Sequence, residues 1–433
     1  MIGGAGPLRA TPLLAAALAA FTAGLALRAQ EPFEASYFDG IDHPAIGYAT
    51  EPLDDAVTRL SRRVAAGTAR LTFEDRWGYL RSLLEALQVP QDSQLVVFSK
   101  TSLQAAAIAP RHPRMIYFND HTVVAWPREG FIEIATHDPR RGVIFYMLEQ
   151  RPAQTPVITR PRACLTCHVS YATLNVPGML TRSVGVAPDG RTLPQLANAT
   201  PDHRTPFAER WGGWYVSGRT GAAAHLGNAT IANPDAPAAQ AIPRPSSLAA
   251  LTAFDTTAYL TPYSDVAALL VFDHQTHMMN LITRVGWQAR VAMADADPRT
   301  ADTLRAAAEA LVDYALFVDE ARLPGPVEGT SGFTQRFSAA GPRDRQGRSL
   351  RQLDLTTRLM RYPCSYLIYS EAFDALPDEA KAAVYARLWA VLSGAAPGPR
   401  YARLTAADRT AIIEILRDTK ADLPAYFRGG AVR

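Results

Sequence analysis

The chain has 433 residues, of which 48% are hydrophobic and 20% are charged, and these fractions are typical of a globular protein with a substantial core. Its formal net charge is +3 and it contains no basic stretch interleaved with aromatic residues, so the sequence predicts neither a nucleic-acid partner nor binding to an anionic membrane surface. With only three cysteines, the chain is not expected to be a scaffold held together by disulfides.

Residues 1–30 have the order of features found in a secretory signal peptide. One cation, Arg9, precedes an apolar stretch at residues 12–27, and small residues follow near Ala29. The apolar stretch is short for a bilayer span, which needs roughly twenty apolar residues. We therefore expect a periplasmic or otherwise exported protein, with cleavage near Ala29 or Gln30. Because the amino-terminal region has a single cation, an uncleaved N-terminal anchor is the alternative.

Residues 31–150 predict an α+β N-terminal domain. Residues 54–67 and 73–89 have the apolar periodicity of two amphipathic helices. Turn signals separate five runs of strand length that are rich in β-branched and aromatic residues: residues 93–100, 114–120, 121–127, 131–138 and 143–150. Short connections between consecutive strands favour an antiparallel meander, and we expect it to pack against the two helices.

Residues 164–168 read Cys-Leu-Thr-Cys-His, which is the spacing of c-type haem attachment. Two thiols three positions apart on a helical turn, here Cys164 and Cys167, can reach the two vinyl groups of a porphyrin and form thioethers. The adjacent His168 then offers an imidazole nitrogen to the iron as proximal ligand. The sequence contains one such motif, which predicts one covalent haem c and argues against dihaem and multihaem proteins.

Other uses of this cysteine pair fit the sequence less well. A thioredoxin-type redox pair is expected at a strand-to-helix junction, and the flanking residues do not provide one. A structural zinc site needs two further ligands in a second paired motif, whereas Cys364 stands alone in an apolar run typical of a packed core residue. A disulfide between Cys164 and Cys167 leaves His168 unexplained.

The sixth iron ligand separates electron transfer, which a distal Met or His favours, from ligand binding or catalysis, which an open site favours. Met179 lies eleven residues after His168 on a Pro-Gly turn, and such a stretch spans up to about 36 Å, enough to pass round a macrocycle. His225 precedes a Gly-Asn loop, and His274 lies on a predicted buried helix. As alternatives, Met179 is core filler and His274 a hydrogen-bonded core histidine.

Residues 151–230 form the predicted haem-binding segment, which is rich in Pro, Gly, Asn and Thr and poor in long periodic runs. A porphyrin buries a large flat apolar area, so an irregular chain can wrap it. Trp211, Trp214 and Tyr215 are candidates either to line the haem or to pack in an ordinary aromatic core. Arg204 is placed either to hold a haem propionate or to lie on the surface.

Residues 231–250 form a Pro/Ala-rich linker, and residues 251–433 predict a mainly α-helical C-terminal domain, which makes the whole chain α+β. The most apolar run, residues 266–272, ends at Asp273 and His274, so no membrane span is predicted after the signal segment. Thr405 is placed to cap the last predicted helix. Helical patterns cover residues 265–290, 298–321, 377–393 and 405–419.

Residues 164–168 resemble the attachment motif of c-type cytochromes in general. Longer stretches resemble a family of large bacterial proteins described only as cytochrome c domain-containing: residues 202–218, 225–228, 272–284, 362–377 and 406–420. The resemblance covers nearly the whole mature chain and implies a haem-binding, periplasmic protein, while it leaves the reaction open. It implies roles only for Cys164, Cys167 and His168.

These features predict an exported monohaem c-type cytochrome that acts in electron transfer with periplasmic redox partner proteins. The alternative is a haem-dependent oxidoreductase, peroxidase-like or acting on a small anion, with an open distal site, because the chain has more scaffold than one shuttle haem requires. A gas or redox sensing module is a second alternative, although no signalling domain follows. The sequence predicts no particular oligomeric state.

Overall fold

A computed structural model of the chain contains a seven-stranded antiparallel sheet. The runs of strand length in residues 93–150 form most of it, and two strands that come later in the chain complete it. The structure describes Met1 and residues 40–429, apart from residue 222, residues 236–242, residue 252 and residue 397. The predicted signal peptide, residues 1–30, therefore lies outside the described residues except for Met1. The chain divides into two units, Met1–Phe38 and Asp39–Arg433, and every described residue from 40 onward belongs to the second.

The predicted antiparallel meander is confirmed, and strands from the predicted haem-binding segment extend it at both edges. In the described part of the chain the strands are β1 (Leu95–Val97), β2 (Arg114–Phe118), β3 (Thr122–Trp126), β4 (Ile132–Asp138), β5 (Gly142–Leu148), β6 (Ile158–Thr159), β7 (Ser183–Val186), β8 (Thr192–Ala199) and β9 (Trp214–Tyr215). The order in the sheet is β6-β5-β4-β3-β2-β1-β9, while β7 and β8 form a separate hairpin.

The longer helices follow the predicted pattern, and additional short ones occur. The second predicted amphipathic helix, residues 73–89, is helical only over Leu80–Ala86, because a turn closed by a bridge between Glu74 and Gly78 precedes it. In the described part of the chain they are α1 (Ala56–Ala65), α2 (Leu80–Ala86), α3 (Leu165–His168), α4 (Val266–Ala294), α5 (Thr300–Ala315), α6 (Phe333–Ala339), α7 (Glu371–Asp374), α8 (Asp378–Leu392), α9 (Ala406–Thr419) and α10 (Tyr426–Gly429). Helix α5 ends at Ala315 rather than at the predicted residue 321, because Phe317 and Asp319 take left-handed backbone conformations with φ of 56° and 61°. Thr405 caps α9 as predicted.

The two faces of the sheet have different neighbours, because successive side chains of a strand point to opposite faces. Val143 and Phe145 on β5 face a large core cluster that also contains Met179 and the apolar side chains of α4. Tyr146 points to the other face, where its hydroxyl donates to Asp55 Oδ2 over 2.6 Å. Since Asp55 caps α1, that helix packs on this second face, as predicted.

Helix α4 is buried along nearly its whole length and reaches from the sheet to the C-terminal helices. The carboxylate of Asp265 accepts from the N–H groups of Ala267 and Ala268, which satisfies donors left open at the start of the helix. Further along α4, Thr283 contacts His137 on β4 through a 2.8 Å hydrogen bond. This bond fixes α4 against the face of the sheet that carries Phe145.

The fold is α+β, with a sheet and amino-terminal helices, an irregular segment and a helical C-terminal part, in agreement with the sequence prediction. The predicted domain boundaries at residues 150, 230 and 250 stay predictions. Across residues 40–429, with the gaps given above, no helix is both long and apolar enough to cross a bilayer.

Candidate haem site

The attachment motif lies on a single helical turn. The N–H groups of Cys167 and His168 both donate to the carbonyl of Cys164, over 3.3 and 3.1 Å, so the turn brings the two cysteines and the histidine together. Side chains three positions apart on such a turn share one face. The turn thus brings the two thiols to one face of the helix, with the imidazole of His168 next to Cys167 in the chain.

Both thiols of the motif are free, and they differ in exposure. Cys164 is half-buried and packs against the main core cluster, and its burial raises the pKa of its thiol above the usual value. Cys167 is exposed. The Cys164 thiol therefore packs against the core, while the Cys167 side chain faces solvent.

The imidazole of His168 is oriented by a carbonyl. Its Nδ1–H donates to the Gly178 carbonyl over 2.8 Å, and the Gly178 N–H donates back to the His168 carbonyl over 3.0 Å. Because Nδ1 carries the proton, Nε2 has its lone pair exposed, and it has no hydrogen-bond partner among the described residues. Burial lowers the pKa of His168, so the ring is neutral near pH 7, which is the form that binds metals.

A second contact holds the carbonyl that orients His168. On α4, Asn280 Oδ1 accepts from the Met179 N–H over 3.0 Å, and Asn280 Nδ2 donates to the Met179 carbonyl over 2.7 Å. A Cβ at Gly178 would overlap Asn280 Oδ1, so only glycine fits between α4 and the motif. Residues 168–179, here named the proximal loop, are thus held by α4 as well as by the hydrogen bonds within the loop.

The surroundings of His168 suit a haem. The Phe145 ring lies 4.6 Å from the imidazole between ring centroids, at an interplanar angle of 44°. Leu165 and Leu174 pack against the same core cluster, which supplies the apolar contact that a macrocycle needs. The ion pair between Arg114 and Glu133, at 2.8 Å, lies on the same face of the sheet. Two free thiols, one oriented imidazole and apolar walls together fit covalent haem c.

A metal bound by several protein side chains is a different kind of site. Among the described residues, no group of three or more His, Cys, Asp or Glu side chains is placed to hold a metal ion. A haem iron does not need such a group, because the porphyrin supplies four of its ligands and the chain supplies one or two.

Met179, the first sixth-ligand candidate, is buried in the core next to Gly178. Because Met179 follows Gly178, its backbone lies next to the carbonyl that accepts from the His168 imidazole. Its role as distal ligand stays a prediction.

His274, the second candidate, has both ring nitrogens engaged. Its Nδ1 lies 2.8 Å from Nδ1 of His203, and its Nε2 lies 2.8 Å from Ser365 Oγ. The ring stacks between neighbouring aromatic side chains, with Tyr314 parallel at 5.2 Å and Phe317 at 4.4 Å. His274 is thus a hydrogen-bonded core histidine, and iron ligation, which stays a prediction, requires one of these bonds to break.

His225, the third candidate, is buried against the edge of Trp211, with ring centroids 5.6 Å apart. Its Nδ1 accepts from the Gly227 N–H over 3.1 Å, which leaves Nε2 to carry the proton of the neutral ring. Burial lowers the pKa of His225 to about 4. Its role as iron ligand stays a prediction.

The remaining haem-contact candidates have partners elsewhere in the core. Trp211 Nε1 donates to Asp273 Oδ2 over 3.1 Å, and Trp214 Nε1 donates to the Arg182 carbonyl over 2.6 Å. The Tyr215 hydroxyl donates to a backbone carbonyl beyond the sheet edge. Arg204, the propionate candidate, pairs with Asp202 at 2.6 Å. Cys364 is fully buried, as predicted for a core residue.

Comparison with known proteins adds no relative to this description. No protein-family model matches the chain, and no curated protein and no solved structure matches it either. The interpretation of the site therefore depends on its own residues. Three residues complete the site: Phe145, Gly178 and Asn280. Gly178 is signalled only by the Pro-Gly turn before Met179 and Phe145 has no signal, while Asn280, as a polar residue in a predicted buried helix, indicates a partner without identifying it.

Proposed function

We propose that the protein is an exported monohaem c-type cytochrome that transfers electrons between periplasmic redox proteins. Cys164 and Cys167 hold one haem c through thioethers, and His168 Nε2 ligates the iron on the proximal side. The observation that carries the proposal is the hydrogen bond from His168 Nδ1–H to the Gly178 carbonyl, because it aims the other nitrogen away from the loop. When bound, haem supplies one-electron oxidation and reduction.

The residues around His168 tune and protect the imidazole. The Gly178 carbonyl fixes the tautomer and makes the ring a stronger donor, which favours the ferric state. Asn280 keeps that carbonyl in place through its two bonds to Met179. Phe145 covers the ring from the sheet side and excludes water from it. These contacts preorganise one iron ligand before any partner binds.

Export supports the same proposal, because haem c is attached outside the cytoplasm and the motif occurs in a chain with a predicted signal peptide. Both thiols are free, as attachment requires. The partners proposed are periplasmic redox proteins.

Covalent attachment is tested by producing the full chain in a bacterial host that matures c-type cytochromes. We expect the denatured protein to retain one haem, measured by intact mass and by haem staining after denaturing electrophoresis. Cys164→Ala and Cys167→Ala each remove one thioether, and the double variant retains no covalent haem. Cys364→Ala is the matched control and keeps the haem. A wild-type protein without covalent pigment, and with both motif thiols open to alkylation, contradicts the proposal.

A haem-dependent oxidoreductase with an open distal site is the second candidate function. The engaged nitrogens of His274 favour it, because His274 would have to break a hydrogen bond before it could ligate an iron. Immediate binding of carbon monoxide to the reduced protein, together with turnover of peroxide or a small anion, supports this function. Ligand binding without turnover supports a sensing module instead.

The sixth ligand is tested by substituting Met179, His225 and His274 one at a time. A ligand's substitution changes the haem spectrum and opens the iron to carbon monoxide, whereas substitution of a core residue changes stability alone. A wild-type haem that ignores carbon monoxide and cyanide supports electron transfer. If no single substitution changes the spectrum, all three candidates are wrong.

A further inference from the structure

The segment that holds the motif has an unusual distribution of charge. From residue 150 to residue 188 the sequence contains no Asp or Glu, although the chain has 41 of them in total. The same stretch contains four arginines, namely Arg151, Arg160, Arg162 and Arg182. A chain with a net charge of only +3 thus concentrates positive charge around its haem attachment motif.

Within the described residues, none of these four arginines forms an ion pair with a carboxylate. Arg160 lies over the ring of Tyr48, 4.8 Å from its centroid, and donates to the Tyr48 carbonyl over 2.7 Å. Arg182 donates to the amide oxygen of Asn198 over 2.6 Å. Both contacts hold a guanidinium in place without cancelling its charge.

Two of the arginines are exposed, and one lies directly beside the motif. Arg162 is exposed on the turn that enters α3, where its carbonyl accepts from the Leu165 N–H over 3.1 Å. Arg151 is exposed on the loop between β5 and β6. Large apolar side chains are exposed on either side of the motif, Val157 at 70% and Tyr171 at 73%. Exposed cationic and apolar side chains thus occur together in the chain segment that contains the exposed Cys167.

One carboxylate that acts on the motif does not offset this charge. Glu133 influences the pKa values of both Cys164 and His168, but it is already paired with Arg114 at 2.8 Å. Two exposed carboxylates flank the segment along the chain, Glu149 before it and Asp189 after it, against four arginines within it. The surface around the motif therefore presents a net positive field to an approaching molecule.

We infer that Arg151, Val157, Arg160, Arg162 and Tyr171 form a basic docking surface for a redox protein that is negatively charged around its own redox centre. The inference rests on the proposed electron transfer and deepens it by naming the chemistry of the partner. Opposite charges steer the encounter and raise its rate, while the apolar side chains provide contact that excludes water. A single electron passes from the donor to the acceptor, no covalent bond forms or breaks, and no proton is transferred.

The charge of this surface is tested with two small oxidants of opposite charge, ferricyanide and tris(phenanthroline)cobalt(III), each taking one electron from the reduced protein. We expect the ferricyanide rate to fall as salt is added and the cobalt rate to rise or stay constant. The double variant Arg151→Glu/Arg162→Glu should lower the ferricyanide rate roughly three- to tenfold at low salt. The matched control is Arg63→Glu, an exposed arginine of α1 on the opposite face of the sheet, and it should leave both rates unchanged.

Binding is measured separately, so that a failure of docking is distinguished from a failure of haem attachment. Polyaspartate serves as the acidic probe, titrated by calorimetry into the haem-loaded protein and into the Cys164→Ala/Cys167→Ala variant. We expect salt-sensitive binding to both, weakened by Arg151→Glu/Arg162→Glu and not by Arg63→Glu. If polyaspartate binds the haem-free variant, the inferred docking surface is supported even if the proposed function is wrong.

Three results would overturn the inference. The first is a ferricyanide rate that does not depend on salt. The second is an equal effect of Arg63→Glu and of Arg151→Glu/Arg162→Glu on polyaspartate binding. The third is binding to phosphatidylglycerol vesicles without binding to polyaspartate, because it assigns the surface to an anionic membrane rather than to an acidic protein.

Discussion

Asn280 offers the sharpest test of how the fold positions the proximal histidine. Asn280→Leu keeps nearly the shape of the side chain and removes both hydrogen bonds to Met179. The N–H and carbonyl of Met179 are then buried without partners, and each such group costs about 1–3 kcal/mol. We therefore expect the free energy of unfolding to fall by about 2–6 kcal/mol, measured by urea denaturation of the haem-loaded protein.

The same substitution has a second, independent readout. Without Asn280, the Gly178 carbonyl is no longer held against His168 Nδ1, and the imidazole becomes a weaker donor to ferric iron. The loss of about 1 kcal/mol of stabilisation of the ferric state corresponds to a rise in midpoint potential of about 40 mV for one electron. Redox titration followed by absorbance measures this shift.

Gln275 provides the matched control on the same helix. Its Nε2 donates to the Asn119 carbonyl over 2.6 Å and its Oε1 accepts from the Tyr366 hydroxyl over 2.6 Å, and neither bond reaches the proximal loop. Gln275→Leu should therefore lower stability by a comparable amount and leave the midpoint potential unchanged. Equal potentials for Asn280→Leu and Gln275→Leu would refute the role of α4 in orienting the proximal ligand.

Three further predictions concern the ligand, the pH dependence and the third cysteine. His168→Ala should keep both thioethers, since the thiols are untouched, and should lose the low-spin spectrum of the reduced haem; a normal spectrum in this variant would contradict proximal ligation. Burial lowers the pKa of His137 and His225 to about 4 and that of His274 to about 3, so these histidines take up protons at a higher pH in the unfolded chain than in the folded one. The free energy of unfolding should therefore fall as the pH drops from about 6.5 to about 4, as measured by chemical denaturation at several pH values. A stability that does not depend on pH would show that the histidines are not buried. Burial raises the pKa of Cys364 to about 12, so its thiol should resist alkylation until the protein unfolds, as read by mass spectrometry.

The sequence predicts the meander well because its signals are local. Each strand from β2 to β5 alternates or runs apolar over a few residues, and Asp, Gly and Pro mark the turns between them. The edge strands have no such signal. β6 and β9 are two residues long, and β9 reaches β1 across more than a hundred residues of chain, where Val96 pairs with Tyr215. Pairing over such a distance depends on the tertiary fold, which periodicity does not encode.

The candidate site divides in the same way. The sequence predicts the attachment motif, Cys164, Cys167 and His168, because one helical turn fixes its spacing. The sequence does not predict the bonds that orient His168, because Asn280 lies 101 residues from Met179 and its sequence neighbours predict only a buried helix. Polar residues inside that helix were a clear signal that partners existed, and the structure supplies them: Asn280 bonds Met179, and His274 bonds His203 and Ser365.

Helix α4 gives a physical reason for a large scaffold around the proposed haem. Asn280 and His274 are six residues apart, which is about 9 Å along the helix axis, and both are buried and hydrogen-bonded to different parts of the chain. The proximal loop therefore cannot move without moving a helix that also joins the sheet at Thr283 and the C-terminal part at Ser365. Rigid coupling of this kind lowers the reorganisation that accompanies a change of charge at the iron, and it requires elements on every side of α4 that a small shuttle cytochrome does not have.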